Sequence, residues 1–265
     1  MRSTVWLLLS TLTIAGFAMA ISSQSANQQQ EPVGYTDTPM IPGSKWRVHD
    51  RDRPVPEVVT PGAASTQKKV GSAPSDAIVL FDGKNLDAWN GGKWKVADGA
   101  MTVNGTGEMI SKQTLGDMQL NLEWRAPNEP DRTSQGKGNS GVFFMGKYEM
   151  QVLNSYQNRT YADGQAAALY GHMPPQVNAM LPTGQWQSYD VLFTAPRFKE
   201  DGTLLSPAYV TALHNGVLVH NHQELLGPSG HKSVPKYKAH APKLPLKLQD
   251  HGNPVSYRNI WIREI

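Results

Sequence analysis

Residues 118–124, MQLNLEW, alternate without a break: Met118, Leu120, Leu122 and Trp124 fall on one side of an extended chain, Gln119, Asn121 and Glu123 on the other. The same period of two recurs in SYDVLFT (188–194), where Tyr189, Val191 and Phe193 oppose Ser188 and Asp190. AYVTALHNGVLVHNH (208–222) reads as two strands joined at Asn215-Gly216, the pair that suits a tight type I′ hairpin. YRNIWIREI (257–265) is a final strand. Helical periodicity is scarce, and DGQAAALYG (163–171) allows at most a short turn. In a chain of 265 residues, 24 Gly and 19 Pro also favour many short strands over long helices. The expected fold is all-β: a β-sandwich or jelly roll of two antiparallel sheets.

One stretch adds a constraint. In YEMQV (148–152), Tyr148, Met150 and Val152 face one way and Glu149 and Gln151 the other, yet the run follows GNSGVFFMG, which is too apolar for a solvated edge. In a curved sandwich the concave face of one sheet lines an open groove. Glu149 and Gln151 are therefore read as groove residues, in preference to a solvated outer face.

The first residues, MRSTVWLLLSTLTIAGFAMA (1–20), have the build of a secretory signal peptide. Arg2 supplies the positive end, Val5 to Phe17 the apolar stretch, and Ala18-Met19-Ala20 a small-x-small cleavage site. The apolar run is short for a membrane span, so no span is expected after signal cleavage. Residues 21–75 form a Ser/Gln/Pro-rich segment expected to be partly disordered, with 40–60 apolar enough at Trp46, Val48 and Val58 to dock. The strand signals then run through 77–265. The absence of cysteine excludes disulfides, thiol chemistry and a lipid-modified cysteine. The localisation expected is periplasmic or secreted.

The net charge of +3 is too small to point to nucleic acid, and the one basic run, HKSVPKYKAHAPK (231–243), reads as a solvated loop. No P-loop, GxGxxG or GxSxG occurs. His220 and His222 have the spacing of a two-histidine metal pair without a third ligand, and with His214 they read as surface residues. LQDHG (248–252) gathers Gln249, Asp250 and His251 in a loop before the last strand, where sites tend to be built. An imidazole beside a carboxylate suits proton abstraction near neutral pH.

IVLFDGKNLDAWNGGKWKVADGAMTVNGTGEMISKQTLGDMQLNLEWRAP, GNSGVFFMGKYEMQVLNSY, QWQSYDVLFTAPRF, HNGVLVHNH and LQDHGNPVSYRNIWIREI follow one another in this chain. As an ordered set they resemble the bacterial 3-keto-disaccharide hydrolase domain family, from Ala77 to Ile265. The resemblance implies a concanavalin A-like sandwich and a secreted protein, with an oligosaccharide or glycoside as substrate. It marks Asn139, Ser140, Glu149, Gln151, Asp190, Gln249, Asp250, His251 and Arg258. Asn154 stands where the family pattern leads one to expect an acidic residue.

The implied reaction exploits a ketone at C3 of the sugar, which acidifies the hydrogen on C2. A base removes it, and the aglycone is expelled from C1. His251 or Glu149 would be the base, Asp250 the orienter of His251, and Arg258 with Gln151 the stabiliser of the enolate, with Asn139, Ser140, Asp190 and Gln249 binding substrate. A divalent cation is an alternative electrophile. Direct two-carboxylate hydrolysis by Glu149 and Asp190 is the rival mechanism, and a non-catalytic, lectin-like carbohydrate-binding domain the rival function.

Overall fold

The computed structural model describes residues 34–265. The expected signal peptide (1–20) and residues 21–33 of the segment after it lie outside the described residues. The described residues divide into two compact units, 34–57 and Val58–Ile265. Within the first, residues 34–57 are closed by single bridges between Tyr35 and Asp50 and between Met40 and Arg47. The second unit begins at Val58, ahead of the Ala77 where strand periodicity starts.

Fifteen strands lie in the second unit: β1 (Ile78–Phe81), β2 (Trp89–Gly91), β3 (Lys95–Ala97), β4 (Ala100–Thr102), β5 (Met109–Leu115), β6 (Met118–Arg125), β7 (Ser140–Phe144), β8 (Tyr148–Val152), β9 (Trp186–Thr194), β10 (Arg197–Phe198), β11 (Leu204–Ser206), β12 (Tyr209–His214), β13 (Val217–Glu224), β14 (Leu244–Leu248) and β15 (Ser256–Glu264). They form an eight-stranded sheet, β13-β12-β9-β6-β15-β4-β3 with β1 also on β15, and a five-stranded sheet, β2-β5-β14-β7-β8; β10 and β11 make a separate ribbon. The pairing is antiparallel throughout the two sheets. The only helical turns among the described residues are two of the 3-10 type, one of them Ala162–Gly164 inside DGQAAALYG. No described helix is long and apolar enough to cross a membrane.

The core lies where alternation places it, except that a bulge between Arg258 and Trp261 lets both Tyr257 and Ile260 of one strand enter it. Met118, Leu120, Leu122, Trp124, Tyr189, Val191, Phe193, Tyr257, Ile260 and Ile262 enter it from the large sheet, and Val142, Phe144, Tyr148, Met150 and Val152 from the small one. Phe144 and Phe193 stack across the two sheets with ring centroids 4.9 Å apart. Tyr189 Oη donates to Gln151 O at 2.8 Å, so the two layers also share a buried hydrogen bond. Asn215 and Gly216 both have positive φ, 52° and 78°, as the type I′ hairpin requires.

The histidines depart from expectation. His214 is fully buried, stacked on Trp124 and edge-on to Tyr189, and neither ring nitrogen has a partner. Burial pushes its pKa down to about 3, which keeps it neutral. His220 is buried too, with Nε2 2.8 Å from Ala167 O, while His222 is exposed against Tyr209. The pairing of β12 with β13 slips between Val210 and Ala212, and this bulge puts His220 and His222 on different sides.

Glu123, expected on a polar outer face, is also buried. The strap 58–75 covers it: Ser65 Oγ donates to Glu123 Oε1, and an antiparallel bridge joins Ala63 to Ser72. A Cβ at Gly71 would collide with Ala63 O, so the strap needs glycine there. Gln67 clasps the backbone of Trp186, its Nε2 donating to the carbonyl at 2.8 Å and its Oε1 accepting from the N–H at 2.7 Å. Beneath, Arg258 donates from Nε to Glu123 Oε2 at 2.7 Å and from Nη2 to Thr66 O at 2.7 Å, while Asn259 Nδ2 donates to Glu123 Oε1 at 2.8 Å. This ion pair and the strap complete each other's hydrogen bonding.

Removing one partner of a buried pair strands the other charge. Arg258→Ala should lower unfolding free energy by about 3–5 kcal/mol. Glu123→Gln combined with Arg258→Met should cost less than Arg258→Ala alone, because no charge is left behind. Urea unfolding of the three proteins checks both statements.

Candidate active site

The small sheet aligns its outward residues in rows. Lys247 of β14 pairs with Phe143 of β7, which pairs with Glu149 of β8. In the next row Gly141 pairs with Gln151, and Gln249 extends the row by donating its N–H to Gly141 O at 2.9 Å. Glu149 and Gln151 leave the core side of β8 to Tyr148, Met150 and Val152, as alternation requires.

They are nevertheless only 6% and 1% exposed, because walls rise around them. Segment 166–170 runs beside β8: Gln151 N donates to Ala168 O, Ala167 N to Gln151 O and Tyr170 N to Glu149 O. Ser229 Oγ accepts from Glu149 N at 2.9 Å and fixes the second wall. The result is a cleft of about 390 Å³ lined among others by Gln135, Asn139, Phe143, Tyr170, His231, Gln249 and His251. A recess of about 430 Å³, reaching Asp163 and Lys232, shares Tyr161, Tyr170 and His231 with it. Gly141 makes room for the floor: a Cβ there would collide with Glu149 Oε1.

Burial pushes the Glu149 carboxyl up to about 8, against the opposing pull of the Lys247 ammonium. Its side-chain neighbour is the Gln151 amide. With the NH2 turned toward Ser140 O and Glu149 Oε1, at 3.0 and 3.1 Å, that amide donates to a carboxylate. Turned the other way, the NH2 donates to Gln135 Oε1 at 2.9 Å and the amide oxygen faces Glu149. That second orientation also sets the amide oxygen against Ser140 O, so the first satisfies the amide better. On the wall, Tyr170 Oη lies 2.9 Å from Tyr161 Oη and 2.9 Å from His231 Nδ1. Burial and the Tyr161 hydroxyl push the Tyr170 pKa up.

Of the residues marked from sequence, Glu149, Gln151, Asn139, Gln249 and His251 come together in the cleft. Asn139 Nδ2 donates to Gln135 O at 2.7 Å, and His251 is exposed at the cleft. Ser140 points inward instead, its Oγ donating to Gln249 O at 2.6 Å and accepting from Tyr257 Oη at 2.7 Å. Asp250 does not orient His251: its oxygens accept from the Gly107 and Gly252 N–H groups, each at 3.0 Å. That is the self-capping turn habit of Asp. Arg258 and Asp190 sit on the outer face of the other sheet, and residues that leave a common core from its two sides emerge in opposite directions. Arg258 therefore cannot stabilise an enolate held over Glu149, nor can Asp190 pair with Glu149 across a glycosidic bond. Asn154 is buried outside the cleft, donating to Thr183 Oγ1 at 2.9 Å.

Gln135, Phe143, Tyr161, Tyr170 and His231 line the cleft without having been marked. His231 heads the run taken for a solvated loop, and Tyr161 just before DGQAAALYG with Tyr170 inside it were the signal available. No group of three or more His, Asp or Glu side chains suited to a metal ion occurs among the described residues.

No curated protein matches this sequence. A candidate glycosyl hydrolase of known crystal structure from Parabacteroides distasonis is 42% identical, with a TM-score of 0.77 over 84% of this chain and 99% of that one. A second candidate glycosyl hydrolase from the same organism is 20% identical, with a TM-score of 0.51 over 72% of this chain and 94% of its own, a likeness of fold alone. The protein is carbohydrate-active in kind. The description "3-keto-alpha-glucoside-1,2-lyase-like domain" matches residues 76–263, nearly the whole sandwich, and the chain belongs to that family.

Proposed function

We propose that the Glu149 cleft cleaves the glycosidic bond of a 3-keto-α-glucoside by elimination across C1 and C2. One observation carries the reading: the cleft has a single carboxyl group, buried and raised to about 8, with an imidazole at its opening. Hydrolysis by two carboxylates needs a second one within about 5–10 Å flanking the bond, and Glu149 is the one acidic side chain lining the cleft. Elimination needs one base and one acid, which His251 and Glu149 can supply.

In this scheme the His251 imidazole removes the C2 proton, and the electron pair moves onto the C3 oxygen as an enolate. The Gln249 side-chain amide, with no partner among the described residues, donates to that oxygen. The enolate then reforms the C3 carbonyl, the C1=C2 bond forms and the C1–O bond breaks. The departing oxygen takes the proton of Glu149. The products are an unsaturated 3-keto sugar and the free aglycone; water adding across C1=C2 would complete a net hydrolysis. Export is part of the proposal, supported by the Arg2, Val5–Phe17 and Ala18-Met19-Ala20 pattern.

His251→Ala should lower both C2 deuterium exchange and aglycone release from a 3-keto-α-glucoside by at least about 10²-fold. Glu149→Gln should keep the exchange and lose the release. Full exchange in a folded His251→Ala protein would transfer the base role to Glu149. No turnover by the parent protein would leave a carbohydrate-binding domain.

Glu149 also links to stability. Between 4.5 and about 8 the folded chain holds a proton that the unfolded chain has released, so stability falls as pH rises across that window. Glu149→Gln should therefore stabilise the protein by an amount that grows from pH 5 to pH 8, read from thermal melts. Secreted protein recovered from the native host should begin near Ile21, as N-terminal sequencing would report; a retained Met1 would contradict export by cleavage.

A further inference from the structure

We propose a second saccharide-binding site on the opposite face of the sandwich, beneath the 58–75 strap, where Asp190 and Asn121 take neighbouring hydroxyls of a neutral sugar beside Trp261. The cavity there measures about 580 Å³, larger than the Glu149 cleft and within the about 300–1,000 Å³ usual for small-molecule sites.

Its floor is a row set by strand register. Trp261 of β15 pairs with Asn121 of β6, which pairs with Asp190 of β9. Strands in a sheet lie about 4.8 Å apart, so an indole, a carboxamide and a carboxylate stand side by side over about 10 Å, the span of two linked sugar rings.

The polar groups of this floor are unspent. The Asn121 side chain has no hydrogen-bond partner among the described residues, and Asp190 has one long contact, from Gln119 Nε2 at 3.5 Å. The neighbouring row differs, because Arg258 and Glu123 are consumed by each other and by the strap. Half-buried polar groups without protein partners call for water or a ligand. The ligand class follows from what is free. The Glu123 carboxylate neutralises Arg258, which leaves Asp190 as the unpaired charge and disfavours an anion. A carboxylate acceptor beside an amide that both donates and accepts fits two adjacent hydroxyls, while an indole suits the C–H side of a sugar ring. Trp186 is already flanked by Arg125 and Arg258, at 4.6 and 4.2 Å from its ring, so Trp261, 8% exposed at the cavity wall, is the indole left to serve.

Maltotriose and cellotriose test the site, because neither carries a ketone and their binding is read apart from any elimination. Calorimetric titration of the full chain should give a dissociation constant in about the millimolar range or tighter for at least one of them. Asp190→Asn and Asn121→Ala, each checked for an unchanged melting transition, should weaken it about tenfold or more. Glu149→Gln should leave it unchanged. Absence of binding to the parent protein, or binding lost in Glu149→Gln but kept in both other variants, would overturn the proposal. Should Asp190→Asn fail to fold, Asn121→Ala alone decides.

Discussion

Everything in the sandwich unit depends on one demand, that alternate residues of two sheets share a single dry core. Phe144 on Phe193, and the run from Met118 to Trp124, satisfy it. Each strand then has only one other side on which to carry chemistry, and the two sheets present those sides in opposite directions. A reactive group such as Glu149 can be buried only if something outside the sheets covers it. Segment 166–170 and the loop at Ser229 do so on one face, and the strap does so on the other.

That division explains what could be read in advance. Which residues of 118–124, 148–152 and 188–194 enter the core was legible, because a period of two leaves no choice. The outward aim of Glu149 and Gln151 followed from the same rule. Which sheet a strand joins is not written in its alternation, so Arg258 and Asp190 were grouped with Glu149 although β15 and β9 belong to the other layer. His220 and His222 were assigned one side because a bulge is invisible to a simple period. Tyr161, Tyr170 and His231 come from aperiodic segments, whose placement depends on long-range backbone contacts. Alternation placed Glu123 on the polar face but could not show that it is buried there, because the strap that covers it lies in a stretch without periodicity.

The cleft is held together at a cost to the fold. A carboxyl pushed toward 8 and a glycine in mid-strand both weaken a sheet, and both occur at adjacent positions of β7 and β8. Gly141 has no side chain where Glu149 needs space, and Gln151 sets its amide beside the Glu149 carboxyl. These features make sense together as a site that holds and releases one proton in a dry place.

The clasp of Gln67 on Trp186 has a further meaning. A primary amide offers the same donor and acceptor as a peptide group, and Gln67 presents both to a strand residue that lies beyond the reach of β12, whose pairing with β9 stops at Tyr189. Left open, that stretch would be a template for strand addition by another molecule. One side chain thus acts as a mock strand one residue long, and takes up the backbone groups that a further strand would otherwise pair with.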